Sequence, residues 1–280
     1  MAFEWRRYFL ARENDVTPEP DPTPLLSALV VARNEQERLG ACLDCLGFAD
    51  EIVVVLDRTT DGSAAIALQH GARVVEGAWE LEGERRSAGV AACRGRWIFE
   101  VDCDERVSAA LGREARDAVR SCEDGYFLVP MANRIGGRLV RHGWGAYNGV
   151  AAKPALFHRA AKRFGAGRVH PRIMLDGPRR WLSAPLDHQV YRDVSDMLRR
   201  LDRYTDLAAI DALEQGNVPR LGRSLRRIFS RAWKSYVARR GYREGAWGLA
   251  LALVSALYPI LIYLKIATRR SSDEDAPPIA

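Results

Sequence analysis

Trp97-Ile98-Phe99-Glu100-Val101-Asp102-Cys103-Asp104-Glu105-Arg106 is an apolar run that ends in three carboxylates. Strand residues i and i+2 point the same way, so Asp102 and Asp104 are expected to project together from a strand's end. Two carboxylates offering only oxygen suit Mg2+ or Mn2+. Such an ion keeps several waters and takes its remaining ligands from substrate phosphates. The run therefore predicts a sheet and, at its edge, a site for a phosphate-bearing substrate.

Upstream, strand-like and helix-like segments alternate. Leu26 to Ala32 is a short apolar run, followed by Asn34 and Glu37 in N-cap and N3 positions and an amphipathic segment to about Leu46. Glu51 to Leu56 is β-branched, Asp61 can cap a helix through about His70, and Ala72 to Val75 offers a further strand. Glu82 to Cys93 then reads as a helix feeding the strand at Trp97. This alternation predicts parallel strands joined by right-handed helical crossovers, with ligands bound beyond the strands' carboxyl ends. Asp57 and the Asp102/Asp104 pair are both placed there.

Downstream, Ser108 to Cys122 reads as a helix and Gly125 to Met131 as a strand. Asn133 to Val140 reads as a hairpin through Gly136-Gly137. Residues 141–190 are rich in Gly, Pro, His and Trp, the composition of substrate-facing loops. A helix from about Val194 to Leu213 closes this region, giving three parts: a Pro-rich arm (1–24), a catalytic domain (25–216) and a helical extension (217–280).

The extension has its own character. Residues 216–243 carry nine Arg or Lys and no acid, with Ile228, Phe229, Trp233 and Tyr236 interleaved. Ala246 to Leu264 is a 19-residue stretch without a charge. A helix of that length barely crosses a bilayer, Pro259 is expected to break or kink it, and basic residues at both ends remove the asymmetry that sets an orientation. A segment lying in or dipping into a membrane face is expected, with nucleic acid excluded as partner because the apolar run has no role in tracking phosphates.

With 280 residues, 48% of them hydrophobic, and a net charge of +6, the chain is long and apolar enough to bury a core. Five cysteines, an odd number, and an opening Met-Ala-Phe-Glu-Trp-Arg-Arg without a signal peptide's apolar core point to reduced thiols in the cytoplasm. Cys42 and Cys45 lack a second pair to complete a zinc set and read as structural. The first strand leads into Arg33-Asn34-Glu35-Gln36 rather than a Gly-rich loop, which argues against a nucleotidyltransferase. No G-x-G-x-x-G follows a strand, which argues against a dinucleotide oxidoreductase.

Taken in order, Ala32-Arg33-Asn34-Glu35, Val53 to Asp57 with Thr60-Asp61-Gly62, Arg86, and Gly95-Arg96-Trp97 leading into Asp102-Cys103-Asp104-Glu105-Arg106 resemble a family 2 glycosyltransferase of the GT-A type. The bacterial lipopolysaccharide core glucosyltransferases are the nearest in pattern. The resemblance implies a Rossmann-like, mostly parallel α/β sheet flanked by helices, a nucleotide-sugar donor (a UDP-sugar), Mg2+ or Mn2+, and inverting transfer to a lipid-linked or lipopolysaccharide-type saccharide. It places the protein at the cytoplasmic face of the inner membrane, peripheral or monotopic. Carried over by position, Arg33, Glu35, Asp57, Arg86 and Asp102 belong to the donor side, Asp102 and Asp104 to the metal, and His142 and Trp144 to the acceptor side, with Tyr147 near them. Where related enzymes carry Val-His-Glu, this chain reads Val169-His170-Pro171. The base that takes the acceptor's proton therefore stays open among His170, Asp176 and Asp187, and an inactive membrane-bound scaffold of the same fold stays open beside the enzyme.

Overall fold

A computed structural model describes residues 25–145, 149–166 and 171–274 of the chain. The first part alternates strand and helix: β1 (Leu26–Ala32), α1 (Gln36–Leu43), β2 (Glu51–Asp57), α2 (Ser63–Gln69), β3 (Arg73–Gly77), α3 (Glu82–Ala92) and β4 (Trp97–Asp102). β1 is buried along nearly its whole length, as a parallel strand covered on both faces must be. It pairs with β2 and β4, Val30 lying beside Val54 and Val101, and β3 continues the parallel order beyond β2. α3 sits close on this sheet because Gly89 lacks a side chain. A Cβ there would stand 2.7 Å from Cδ1 of Leu29 and 2.9 Å from Cγ2 of Val55.

The second part is β5 (Glu105–Arg106), α4 (Ala109–Ser121), β6 (Tyr126–Ile135), β7 (Arg138–Leu139), β8 (Ala152–His158), β9 (Lys162–Phe164), β10 (Ile173–Leu175), β11 (Arg179–Trp181) and β12 (Leu186–Tyr191). α4 starts where Ser108 accepts a hydrogen bond from the Leu111 N–H at 3.1 Å, a side-chain cap for an otherwise orphaned donor. The expected hairpin forms between β6 and β7 through Gly136 and Gly137, both at positive φ. The main sheet runs β3-β2-β1-β4-β8-β6-β12-β5, with β8 antiparallel to both its neighbours. Its last pairing, β12 with β5, brings the sheet back to the residues that follow β4. The Gln189 N–H donates to the Asp104 carbonyl at 2.9 Å, so β12 is tied to the tip of β4.

Two caps differ from expectation. Asn34 is in the left-handed region, φ 54°, and accepts from the Thr60 N–H at 2.9 Å instead of capping α1. Asp61 serves two helix starts, accepting from the Ser63 N–H and from the Gln36 N–H, each at 3.0 Å. The loops after β1 and β2 are thereby fastened to each other at the mouth of the sheet.

The last described elements are α5 (Val194–Glu214), α6 (Leu221–Trp233), a π-helical turn (Lys234–Ala238), a 3-10 turn (Gly241–Glu244) and α7 (Ala246–Glu274). α7 continues through Pro259, where a break or kink was expected; packing against α5 and α6 holds the helix on either side. A second core joins this region to the sheet: Ile135, Trp144, Tyr191, Met197 and Leu201 close on Leu251 and Val254 of α7. α7 is also pinned to α5 by ion pairs, Lys265 with Asp202 at 2.7 Å and Arg269 with Asp206 at 3.3 Å. By length and composition α7 can cross a membrane over Ala246–Arg269, its most apolar 18 residues having a mean hydropathy of 2.1.

Candidate active site

The carboxyl ends of β1, β2 and β4 open into a cleft of about 690 Å3, closed on its far side by β12 and α5. At the β2 end, Asp57 is 2% exposed and holds three groups: the Trp79 N–H at 3.0 Å, Nε of Arg58 at 3.1 Å and Nη1 of Arg85 at 3.3 Å. Burial alone would raise its pKa, but the Trp79 hydrogen bond and the two guanidiniums hold it below the usual value. Arg33 and Glu35 line the cleft at the β1 end, and burial pushes the Glu35 carboxyl up, with Asp104 adding to the effect.

Arg86 bridges three acids. It contacts Glu82 at 2.8 Å, Asp102 at 3.2 Å and, most closely, Glu100. Glu100, buried on β4, is paired on its other oxygen with Lys162, whose ammonium also lies over the rings of Phe157 and Phe164. Lys153 of β8 reaches Asp102 at 3.1 Å and Glu105 at 2.6 Å. Burial opposes the charge on Asp102, yet Lys153 and Arg86 outweigh it and hold that carboxyl well below the ordinary carboxylate range. Burial likewise disfavours the Lys153 ammonium, and Asp102 and Glu105 more than restore it. Asp102 is thus an ionised carboxylate with each oxygen on a fixed cation.

Asp104 is placed differently. Its Oδ2 meets both Nη atoms of Arg200 at 3.2 and 3.3 Å, and its Oδ1 faces Nε2 of His188 at 3.7 Å. The tautomer of His188 follows from its other neighbour. Asn133 donates through Nδ2 to the Val150 carbonyl at 2.9 Å, so its Oδ1, 3.0 Å from Nδ1 of His188, accepts from that nitrogen. Nε2 then carries a lone pair, and burial lowers the His188 pKa, which favours the neutral ring. A neutral imidazole nitrogen and a carboxylate oxygen facing one another form a cation's donor pair. Two ligands each about 2.1 Å from an ion can stand up to roughly twice that apart, so the 3.7 Å gap fits a divalent ion. Among the described residues no three His, Cys, Asp or Glu side chains converge on one point, so an ion at this pair would need water or substrate oxygens to complete its shell.

The other expected site residues are elsewhere. Trp144 is buried in the second core, its indole N–H on the Val140 carbonyl and its ring stacked on Tyr191; no ring face is left for a sugar. His142 is held by Glu244, which takes its ring Nδ1 at 2.8 Å and its N–H at 3.0 Å. Asp176 is exposed and paired with Arg163 at 2.7 Å beside the β9–β10 hairpin. Asp187 pairs with Arg134 at 2.6 Å, on the face of β12 opposite His188. None of these four lines the cleft. His170 and Tyr147 lie outside the described residues.

The sequence singled out neither Arg85, Lys153 nor Arg200. Arg85 was one residue away in the same run, and only the helical phase of α3 decides which arginine meets Asp57. Lys153, His188 and Arg200 come from strands and a helix far along the chain: the pairing of β8 with β4 brings in Lys153, and the return of β12 to β5, with the helix after it, brings in His188 and Arg200.

The profile of glycosyl transferase family 2 matches residues 27–170. The lipopolysaccharide core biosynthesis glycosyltransferase LpsC of Rhizobium meliloti (strain 1021) is 26% identical over 272 residues, 88% of this chain and 93% of that protein. An uncharacterized glycosyltransferase of Rickettsia felis is 32% identical over 90 residues, 32% of each chain. Among solved structures, residues 1–349 of S. aureus TarS align with a TM-score of 0.46 at 14% identity, covering 89% of this chain and 92% of that one. Glucosyl-3-phosphoglycerate synthase of Mycobacterium tuberculosis, crystallised with Mn2+, uridine diphosphate and glucosyl-3-phosphoglycerate, aligns with a TM-score of 0.34 at 23% identity over 40% of this chain and 44% of that one.

Proposed function

The chain belongs to glycosyl transferase family 2, and from that premise we propose that it moves a sugar from a UDP-sugar to a lipid-linked or lipopolysaccharide-type saccharide, with inversion and with a divalent ion. The observation that carries the reading is the Asp104–His188 pair: two lone-pair donors facing each other at 3.7 Å within a cleft that also holds Asp57 and Arg85. Asp104 and His188 would hold Mg2+ or Mn2+, which supplies positive charge to the diphosphate as it leaves. Asp102, fixed by Arg86 and Lys153, stays a donor-side carboxylate able to accept a hydroxyl of the nucleotide. Asp57 and Arg85 offer an acceptor and a donor toward the base and ribose.

The attacking hydroxyl needs a proton acceptor on the face opposite the leaving group. Asp176 and Asp187 are held in ion pairs outside the cleft, so this reading gives the role to His170.

Membrane association is supported by α6 and α7. Leu221, Leu225, Phe229 and Trp233, four residues apart, form an exposed apolar stripe on α6, and Phe229 is 76% exposed. Arg220, Arg223, Arg226 and Arg227 flank it, which is the make-up of an interfacial helix. The ion pairs that fasten α7 to α5 favour a helix lying on the membrane over one that crosses it.

The test is transfer or donor hydrolysis from a panel of nucleotide sugars with Mn2+, compared with Asp104→Ala. Metal-dependent turnover lost in the variant supports the enzyme, and no turnover with any donor favours the scaffold.

A further inference from the structure

A second cavity, of about 370 Å3, opens beside the cleft. The two share Glu35, Arg200 and Arg203. Asp57, Arg58 and Arg85 line only the first, while Arg38, Arg192 and Arg199 line only the second. The arginines of α5 lie three and four residues apart, so the helix turns one basic face toward this cavity.

Three of the four acids of the wall are committed, and burial pushes the fourth, Glu35, up toward its neutral form. Asp61 accepts from the Gln36 and Ser63 N–H groups, Asp196 from the Arg192 N–H at 3.0 Å, and Glu37 is paired with Arg192 at 3.4 Å. Of the cations, Arg192 and Arg200 are paired and the other three are not. Among the described residues no carboxylate lies within 4.0 Å of a guanidinium nitrogen of Arg38, Arg199 or Arg203. Three guanidiniums without a carboxylate partner line this one cavity, Arg203 lying over the Tyr204 ring, and they offer the charge and fork-shaped donors that an oxyanion needs.

We propose that this cavity binds an anionic group of the acceptor saccharide, a phosphate or a carboxylate set apart from the hydroxyl that receives the sugar. The inference rests on the transferase reading. The donor's diphosphate is accounted for at Asp104 and His188, and the unpaired arginines stand on the other side of Arg200. An acceptor seated where the cavities meet would carry its charge toward α1 and away from the donor.

Saturation-transfer NMR on the full-length protein, with glucose 6-phosphate, glucuronate and glucose as probes, tests this directly. Signal is expected from glucose 6-phosphate, glucuronate or both, and none from glucose. Phosphate alone assigns a phosphorylated acceptor, and both together assign charge as the determinant. The Arg38→Ala/Arg199→Ala double variant should weaken the anion about tenfold or more. An equal response to glucose, no response to either anion, or an unaltered double variant would overturn the proposal. Calorimetry of UDP with Mn2+ on the same double variant separates the sites: a comparable loss of UDP affinity would give these arginines to the donor and overturn the proposal. Wild-type protein that binds glucose 6-phosphate but not UDP would sink the transferase reading while supporting the anion site.

Discussion

Nε2 of His188 and Oδ1 of Asp104 face each other across 3.7 Å, although 83 residues separate them in the chain. β12 brings them together: it pairs with β5 immediately after the tip of β4, and the Gln189 N–H donates to the Asp104 carbonyl. Asn133, on β6 beside β12, fixes the ring. The donor pair is thus a product of sheet order.

Asn133 touches neither cleft cation nor substrate in this account; it sets the His188 tautomer. Asn133→Ala should lower Mn2+ affinity about 10–100-fold, the range for a lost partner behind a metal-bound histidine. Manganese titration followed by electron paramagnetic resonance reads this without turnover. An unchanged affinity would remove Asn133 from the site.

Arg85, rather than Arg86, meets Asp57, and the two arginines should separate experimentally. Arg85→Ala should weaken UDP binding by about tenfold through a lost charge-assisted contact with little change in melting temperature. Arg86→Ala strips buried Glu100 and half-buried Asp102 of a shared cation and should destabilise the fold by about 3 kcal/mol, mainly through Glu100. Differential scanning calorimetry alongside UDP titration distinguishes them, and matching behaviour of the two variants would contradict the assignment.

The parallel half of the sheet was legible in the sequence because each strand there is a short apolar run bounded by a helix with its own periodicity. Leu26–Ala32, Glu51–Asp57 and Trp97–Asp102 fall where hydrophobicity placed them. Of the later half, only β6 and its hairpin with β7 were legible. β8, β11 and β12 are short strands whose order in the sheet does not follow the chain. Trp144 and His142 lie in a Gly-rich loop that looked substrate-facing; only the second core, built with α7, shows where Trp144 packs, and only Glu244, ahead of α7, shows what holds His142. Composition also hid how far α7 is integrated. Its apolar run read as an extension, yet Leu251 and Val254 are core residues shared with the sheet.

For that reason membrane binding is best tested by surface replacements, since removing α7 would expose the second core. Phe229→Ser with Trp233→Ser takes two exposed rings from α6 and should lower partition into phosphatidylglycerol-containing vesicles by at least about tenfold at an unchanged melting temperature. Binding of the native protein should also weaken as salt rises. Equal flotation of variant and native protein would exclude α6 as the contact.

Glu51 governs an acid-sensitive clamp. It accepts from Ser27 Oγ at 2.5 Å, Arg94 Nε at 3.1 Å and the Gly95 N–H at 3.1 Å, which locks the turn before β4 onto β1 and β2. Burial would raise its pKa, but these bonds bring it down to about 2 from an ordinary 4.5. A carboxyl depressed in the fold lends stability that is complete above its unfolded pKa and is lost as pH falls toward the folded value. Native stability should therefore decline between about pH 4.5 and pH 2. Glu51→Gln should be less stable at neutral pH by about 1–3 kcal/mol, with a shallower decline in that window. Denaturant melts across this pH range check it, and parallel curves would contradict the role.

Electron spin-echo modulation of Mn2+, added with UDP to protein carrying 15N-labelled histidine, bears most directly on the Asp104–His188 pair. A 15N imidazole coupling to the bound ion is expected, and it should vanish in His188→Gln. Bound Mn2+ with no imidazole coupling, or a coupling that survives the substitution, would contradict it.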